Sequence, residues 1–288
     1  MLLAEYNNDI YKTQEADTQM IIDFHTHAFP DKIAKPTIDF LASKSGYVPY
    51  SDGSVQGLIS LMDTGNIDKS VLLPVVTKPS QFSSVNKFAA ELNNTDRIWS
   101  FGGIHPYDET PEAHLDEIKS MGLYGIKLHP DYQNAFIDDE KYIRIIRYAI
   151  SIGLAVITHS GVDDGCEGDV KCTPDRVLRV LDKIYKGSTP DEPRLILAHG
   201  GGFKMYTEVM EKLCGLPVYF DLAYISEFTD ADTLFSIIRT HGADKILFAS
   251  DSPWSDPNTS ADRIRSLPLT EKELHMIFYK NALSILRK

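Results

Sequence analysis

Six of the nine histidines in this chain fall at the ends of short apolar runs. They are His25 and His27 in DFHTHAFP, His105 in GGIHP, His129 in GIKLHP, His159 in VITHSG and His199 in LILAHGGG. Asp251 ends another run in LFASDSPW. His25 and His27 are two residues apart, so on a strand both imidazoles project from one side. Two converging neutral imidazoles can chelate one divalent ion, and histidine with carboxylate suits zinc or a related first-row metal. A His-x-His pair by itself is more often two satisfied histidines. With His159, His199 and Asp251 at three other run ends, packing alone is a poor explanation.

The neighbouring polar residues carry less. His105 and His129 each precede a proline, where a strand turns outward, so each either binds substrate or holds a loop. Lys127 shares parity with His129 and is expected to point inward. A buried lysine is costly unless paired or modified. It could hold a substrate anion, bridge a second metal as a carboxylated lysine, or pair with a carboxylate. Lys78 and Lys204 follow strands two and six and are further candidates for holding a substrate anion. Cys166 and Cys172 lie in one long stretch after strand five, which reads as a loop over the site rather than a zinc clip. Cys214 reads as packed, and His114, His241 and His275 as surface or helix-end residues. The glycines at 200–202 read as a sharp turn, in preference to an anion cradle.

The elements that must position these residues alternate strictly. Apolar runs at 20–24, 70–76, 98–104, 124–128, 154–158, 195–198, 218–222 and 246–249 fit strands buried on both faces. Helical stripes lie between them. Val177, Val180, Leu181 and Ile184 follow i, i+3, i+4, i+7 spacing, as do Tyr142, Ile145, Ile146 and Ala149. Helices are also expected over 230–241 and over 271–286. Gly122, Gly153 and Gly242 stand where a left-handed residue ends a helix. Eight β-then-α units imply right-handed crossovers and an α/β fold of the (β/α)8 TIM-barrel type, a single domain over 20–288 after a tail at 1–19. An open doubly wound sheet lacks its glycine-rich turn after the first strand. A barrel brings every strand end to one rim, where barrel enzymes place their chemistry.

Composition narrows the function. With 41 acidic against 29 basic residues the formal charge is −12, which argues against a nucleic-acid partner. Hydrophobic residues at 43% exclude a disordered chain. No run approaches the ~20 apolar residues of a membrane span. Three cysteines make no disulfide framework, so a cytoplasmic location is expected. The segment 1–19 reads as a polar tail, lacking the basic start of a signal peptide.

DFHTHAFP, GIKLHP, THSG, LAHGG and LFASDSPW, in that order, resemble the amidohydrolase superfamily. The similarity is to its branch of metal-dependent hydrolases of barrel fold that also contains decarboxylases. The resemblance implies that His25, His27, His159 and Asp251 ligate the metal. It implies that Asp251 accepts a proton and that His199 orients water or binds a second ion together with Lys127. The expected activity is hydrolysis of a small, anionic ester, lactone or amide by metal-activated water. Lys127, His129 and His105 are the expected substrate contacts. The alternative is decarboxylation of an aromatic or unsaturated acid, which an arginine in a rim loop would favour. Arg176, the clear candidate, opens a helix. The resemblance further implies a homodimer.

Overall fold

The computed structural model describes residues 20–93, 95–187, 190 and 192–286, so the expected tail at 1–19 lies outside the described residues. Strand β1 (Ile22–Thr26) pairs in parallel with β2 (Lys69–Leu72). Strand β3 runs in two pieces, Ile98–Ser100 against β2 and Gly102–Gly103 against β4 (Gly125–Leu128). Strands β5 (Ala155–Thr158), β6 (Leu195–Leu197), β7 (Tyr219–Asp221) and β8 (Ile246–Leu247) continue the sheet, each parallel to the one before. The circle closes between β8 and β1. The Phe24 amide donates to Phe248 O at 2.9 Å, the Asp251 amide donates to His25 O at 2.9 Å, and Thr26 bridges Ser252 in parallel. The expected eight units thus form a closed (β/α)8 barrel.

The helices are α1 (Asp31–Ser45), α2 (Val55–Thr64), α3 (Phe82–Leu92), α4 (Pro111–Ser120), α5 (Glu140–Ser151) and α6 (Pro174–Tyr185). They continue with α7 (Tyr206–Lys212), α8 (Ile225–Phe228), α9 (Ala231–His241), α10 (Pro257–Arg265), α11 (Glu271–His275) and α12 (Asn281–Leu286). The helix expected over 271–286 is interrupted by a π-helical turn at Met276–Lys280. Helix α5 starts at Asp139, whose side chain accepts from the Lys141 amide, and buries Tyr142, Ile145, Ile146 and Ala149. Helix α6 starts at Thr173, which accepts from the Arg176 amide, and buries Val177, Val180 and Leu181. Each such buried aliphatic side chain contributes about 1.5–3 kcal/mol. Two apolar clusters result: one lies between sheet and helices, and the other fills the barrel with Ile22, Phe24, Val71, Leu73, Ala155, Ile157 and Leu247.

Two irregularities serve the rim. The β1–β2 register shifts between Asp23 and Thr26, where three steps on β1 match two on β2. That extra residue lets Phe24 fill the interior with Ile22 while His25 and His27 still turn inward above it, since a bulge re-aims side chains. At the end of β6, Gly201 takes a φ of +87° and a Cβ there would lie 2.7 Å from the Phe220 ring. Only glycine fits, which supports the turn reading of 200–202.

Candidate metal centre

His25, buried at the floor of the rim, donates from Nδ1 to Asp221 Oδ2 at 2.8 Å. His27 donates from Nδ1 to Leu73 O at 2.9 Å, and His199 from Nδ1 to Ala223 O at 3.0 Å. His159 uses its other nitrogen, donating from Nε2 to Val162 O at 3.3 Å. Each partner is a carbonyl or carboxylate, which can only accept. A neutral imidazole with one nitrogen donating presents a lone pair on the other, and such outer partners fix which nitrogen can ligate a metal. Four lone pairs therefore face the cavity: Nε2 of His25, His27 and His199, and Nδ1 of His159, that of His25 meeting the Lys127 ammonium. Burial lowers the pKa of His25 and of His159 well below the ordinary imidazole value, which keeps both neutral.

Asp251 completes the set. One of its oxygens lies 3.2 Å from His27 Nε2 and 3.4 Å from His25 Nε2. The two imidazole nitrogens and the carboxylate oxygen are all acceptors once the outer bonds are made, a set suited to a cation, and the Lys127 ammonium already reaches one of them, His25 Nε2, at 3.0 Å. The donor set of imidazoles and carboxylate fits a divalent first-row ion. His25, His27 and Asp251 bring their ligand atoms within 4.8 Å of one another. His159 stands beyond that group, with its ring 4.8 Å from His199. Asp251 and His199 both hold positive φ, +72° and +59°, a conformation that costs a non-glycine residue about 1–3 kcal/mol and recurs at functional sites.

Lys127 points inward as expected. It is fully buried, and its Nζ donates to His25 Nε2 at 3.0 Å. Burial pushes its pKa down to about 8, against the pull of Asp221, Asp251 and Asp163. Asp23 ties the floor to β8 by accepting from Ser250 N at 2.9 Å, and burial raises its carboxyl to about 7.

His129 lines the same cavity but is engaged on both sides. Its Nδ1 accepts from the Tyr132 amide at 3.4 Å, which leaves the hydrogen on Nε2, 3.4 Å from Asp163 Oδ2. His129, His159 and Asp163 also lie within 4.8 Å of one another. The tautomer makes His129 a donor there, so proximity alone does not make that trio a second metal site.

The other expected contacts fall elsewhere. His105 is absent from the cavity lining among the described residues. Its Nδ1 accepts from the Tyr107 amide at 3.2 Å and its ring also bonds the Thr77 backbone, so it holds a loop rather than substrate. Lys78 is exposed and away from the lining, and Lys204 is paired with Asp164 at 2.7 Å. Arg176 opens α6, paired with Asp138 at 2.6 Å and stacked on Phe136. Cys172 is buried with its thiol 3.6 Å from Ser160 Oγ, and Cys166 and Cys214 are partly buried. His241, expected at the surface or at a helix end, ends α9 and is buried there.

Asp221 is the residue the sequence reading missed. Besides His25 it accepts from the His199 amide at 2.8 Å and the Ala223 amide at 3.1 Å. Burial raises its carboxyl, and these donors oppose the shift. Its signal was present, since Asp221 ends the apolar strand in VYFDLAY just as Asp251 follows β8.

The cavity above these residues measures about 510 Å³. Aromatic side chains of Tyr47, Tyr132, Phe203, Tyr224 and Trp254 wall it. The loop after β5 is tied across the mouth, because Asp164 accepts from Tyr47 Oη and from Lys204.

This barrel and rim define the amidohydrolase class of enzymes. The chain belongs to that family: the model described as Amidohydrolase matches residues 22–288. No curated protein sequence matches the chain. Among solved structures, an uncharacterised TIM-barrel protein from Bordetella bronchiseptica aligns at 18% identity with a TM-score of 0.70, over 93% of this chain and 98% of that one. A 2,6-dihydroxybenzoate decarboxylase from Rhizobium aligns at 16% identity and TM-score 0.66, over 93% and 98%. A 5-carboxyvanillate decarboxylase from Novosphingobium aromaticivorans, complexed with manganese and a nitrobenzoic acid, aligns at 16% and 0.64, over 93% and 96%. Among the described residues no helix is long and apolar enough to cross a membrane.

Proposed function

We propose that the protein is a metal-dependent hydrolase of small esters, lactones or amides. Its divalent ion, zinc or manganese, is held by His25, His27, His159 and Asp251. The observation that carries this reading is the pair of inward-facing nitrogens of His25 and His27 converging on Asp251, each fixed from behind by an acceptor, with His159 lining the same cavity. When bound, such an ion supplies Lewis acidity, polarising a carbonyl and easing the deprotonation of water near neutral pH. Asp251 takes the proton of the attacking water and returns it to the leaving group. His199, open at Nε2 and anchored to Ala223 O, holds the water or the developing oxyanion. Asp221 keeps His25 and His199 in position. His129 offers its Nε2 hydrogen to the cavity beside Asp163.

Decarboxylation of an aromatic acid is the second reading. It is favoured by the aromatic walls and by the decarboxylases among structures of like fold. Against it, no arginine lines the cavity among the described residues, so no guanidinium grips a substrate carboxylate. Elemental analysis of protein purified without chelator should find about one ion per chain, the content of a single site. Turnover of an ester and lactone panel without carbon dioxide release is the expected result. Release from aromatic acids with an inert ester panel moves the assignment to the second reading, and two ions per chain restore a bridging Lys127.

A further inference from the structure

Helix α1 lies outside both apolar clusters, with only Ala34 and Ile38 buried. It nonetheless turns Ile33, Thr37 and Phe40 toward the cavity, at i, i+4 and i+7. Gln81, the residue just before α3, and Val85 and Phe88 within it approach at the same spacing. Two helical stripes therefore flank one slot that is continuous with His25, His27 and Asp251. Phe40 is 59% exposed and Ile33 47% exposed, although both line this concave wall.

On the α3 side the Gln81 side-chain oxygen and the Ser84 hydroxyl are already engaged. Gln81 Oε1 accepts from Thr77 N, Thr77 Oγ and Lys78 N at 2.9–3.0 Å, and Ser84 Oγ donates to Gln81 O at 3.1 Å. No charged side chain of α1 or α3 lines the slot. An uncharged wall built mainly of Ile33, Phe40, Val85 and Phe88 offers an incoming group chiefly burial of apolar surface. The volume of about 510 Å³ exceeds what a bare reacting group needs and falls within the usual range for small-molecule pockets, about 300–1,000 Å³.

We infer that the substrate carries an uncharged apolar arm, alkyl or aryl, which lies between α1 and α3 while its reacting head sits at the histidine–aspartate cluster. This rests on the reading of that cluster as the metal centre. The arm sets specificity: Phe40 and Val85 select for length and against charge, and neither touches the reacting atoms.

The test uses the full chain loaded with zinc and a series of straight-chain hydroxamates, from acetohydroxamate to octanohydroxamate, with affinity read by calorimetry. The hydroxamate head binds the metal and the chain probes the slot. Affinity is expected to rise about fourfold per added methylene until the slot is full, the value of one buried CH₂. Phe40→Ala, at an exposed position that leaves folding intact, should flatten that rise. Val85→Asp should abolish it, and both variants should keep the affinity for acetohydroxamate. Tight acetohydroxamate binding with no gain from chain length overturns the slot and leaves the metal centre standing. A chain-length series that persists in His27→Ala, with no dependence on added zinc, supports the slot and sinks the metal reading instead. Failure of every compound to bind overturns both.

Discussion

Two groups of side chains share the rim and look alike by residue type. His25, His27 and Asp251 form one; His129, His159 and Asp163 form the other. They differ in what stands behind each ring. In the first, every imidazole donates outward and turns a lone pair inward. In the second, His129 accepts from the Tyr132 amide and turns a hydrogen inward, so only His159 remains open. The lesson is that a metal ligand is defined by the partner of its other nitrogen, more than by closeness to other donors.

The most damaging way to break this comparison is at its centre. Asp251→Asn removes the charge facing His25 and His27 and the proposed proton acceptor, so activity should fall by about a hundredfold to ten-thousandfold. Metal content should fall with it. His129→Ala, an equally buried histidine of the same rim, should retain the ion. Equal metal loss in both variants, read by elemental analysis, would mean that the tautomer argument is wrong.

A finer cut is made behind the ligands. Asp221→Asn leaves the proposed ligands His25, His27, His159 and Asp251 untouched but weakens the acceptor of the His25 Nδ1 hydrogen. Losing such an outer partner typically costs about 10–100-fold in metal affinity. Asp163→Asn changes a less buried carboxylate of the same rim that backs no open ring, and metal affinity should hardly move. Competition titrations against a fluorescent chelator measure both. Matching losses would place the second trio in the metal site after all.

Much of this was legible in the residues because strand ends announce themselves. Apolar runs stop where a barrel strand reaches the rim, and the residue just past the stop is placed by topology. That is why His25, His27, His159, His199 and Asp251 could be gathered from spacing alone. Three things could not. The bulge in β1 depends on its pairing with β2, which no local pattern encodes. The different fates of His105 and His129, both before prolines, depend on which backbone groups the following loops present. The slot depends on α1, whose apolar residues Ile33 and Phe40 face a cavity, a placement that only the packing of the barrel decides.

His241 extends the comparison to a histidine with no metal role, where the expected effect is smallest. It closes α9 and is held on both sides, donating from Nε2 to Val218 O at 2.9 Å and accepting at Nδ1 from the Gly215 amide at 3.2 Å. Its ring stacks on Phe220 with centroids 3.7 Å apart. Burial lowers its pKa from 6.5 to about 4, because a second proton would find no acceptor. The folded value lies below the unfolded one, so the fold binds fewer protons there. Its contribution to stability is complete above pH ~6.5 and is lost as pH falls toward ~4, amounting to about 3 kcal/mol at most. His241→Gln keeps a donor and an acceptor but cannot take up a proton. Urea midpoints at neutral and acid pH should therefore separate less in the variant than in the parent. If the two proteins lose stability in parallel on acidification, His241 is not held neutral, and two-sided hydrogen bonding is no guide to which histidines of this barrel resist a proton.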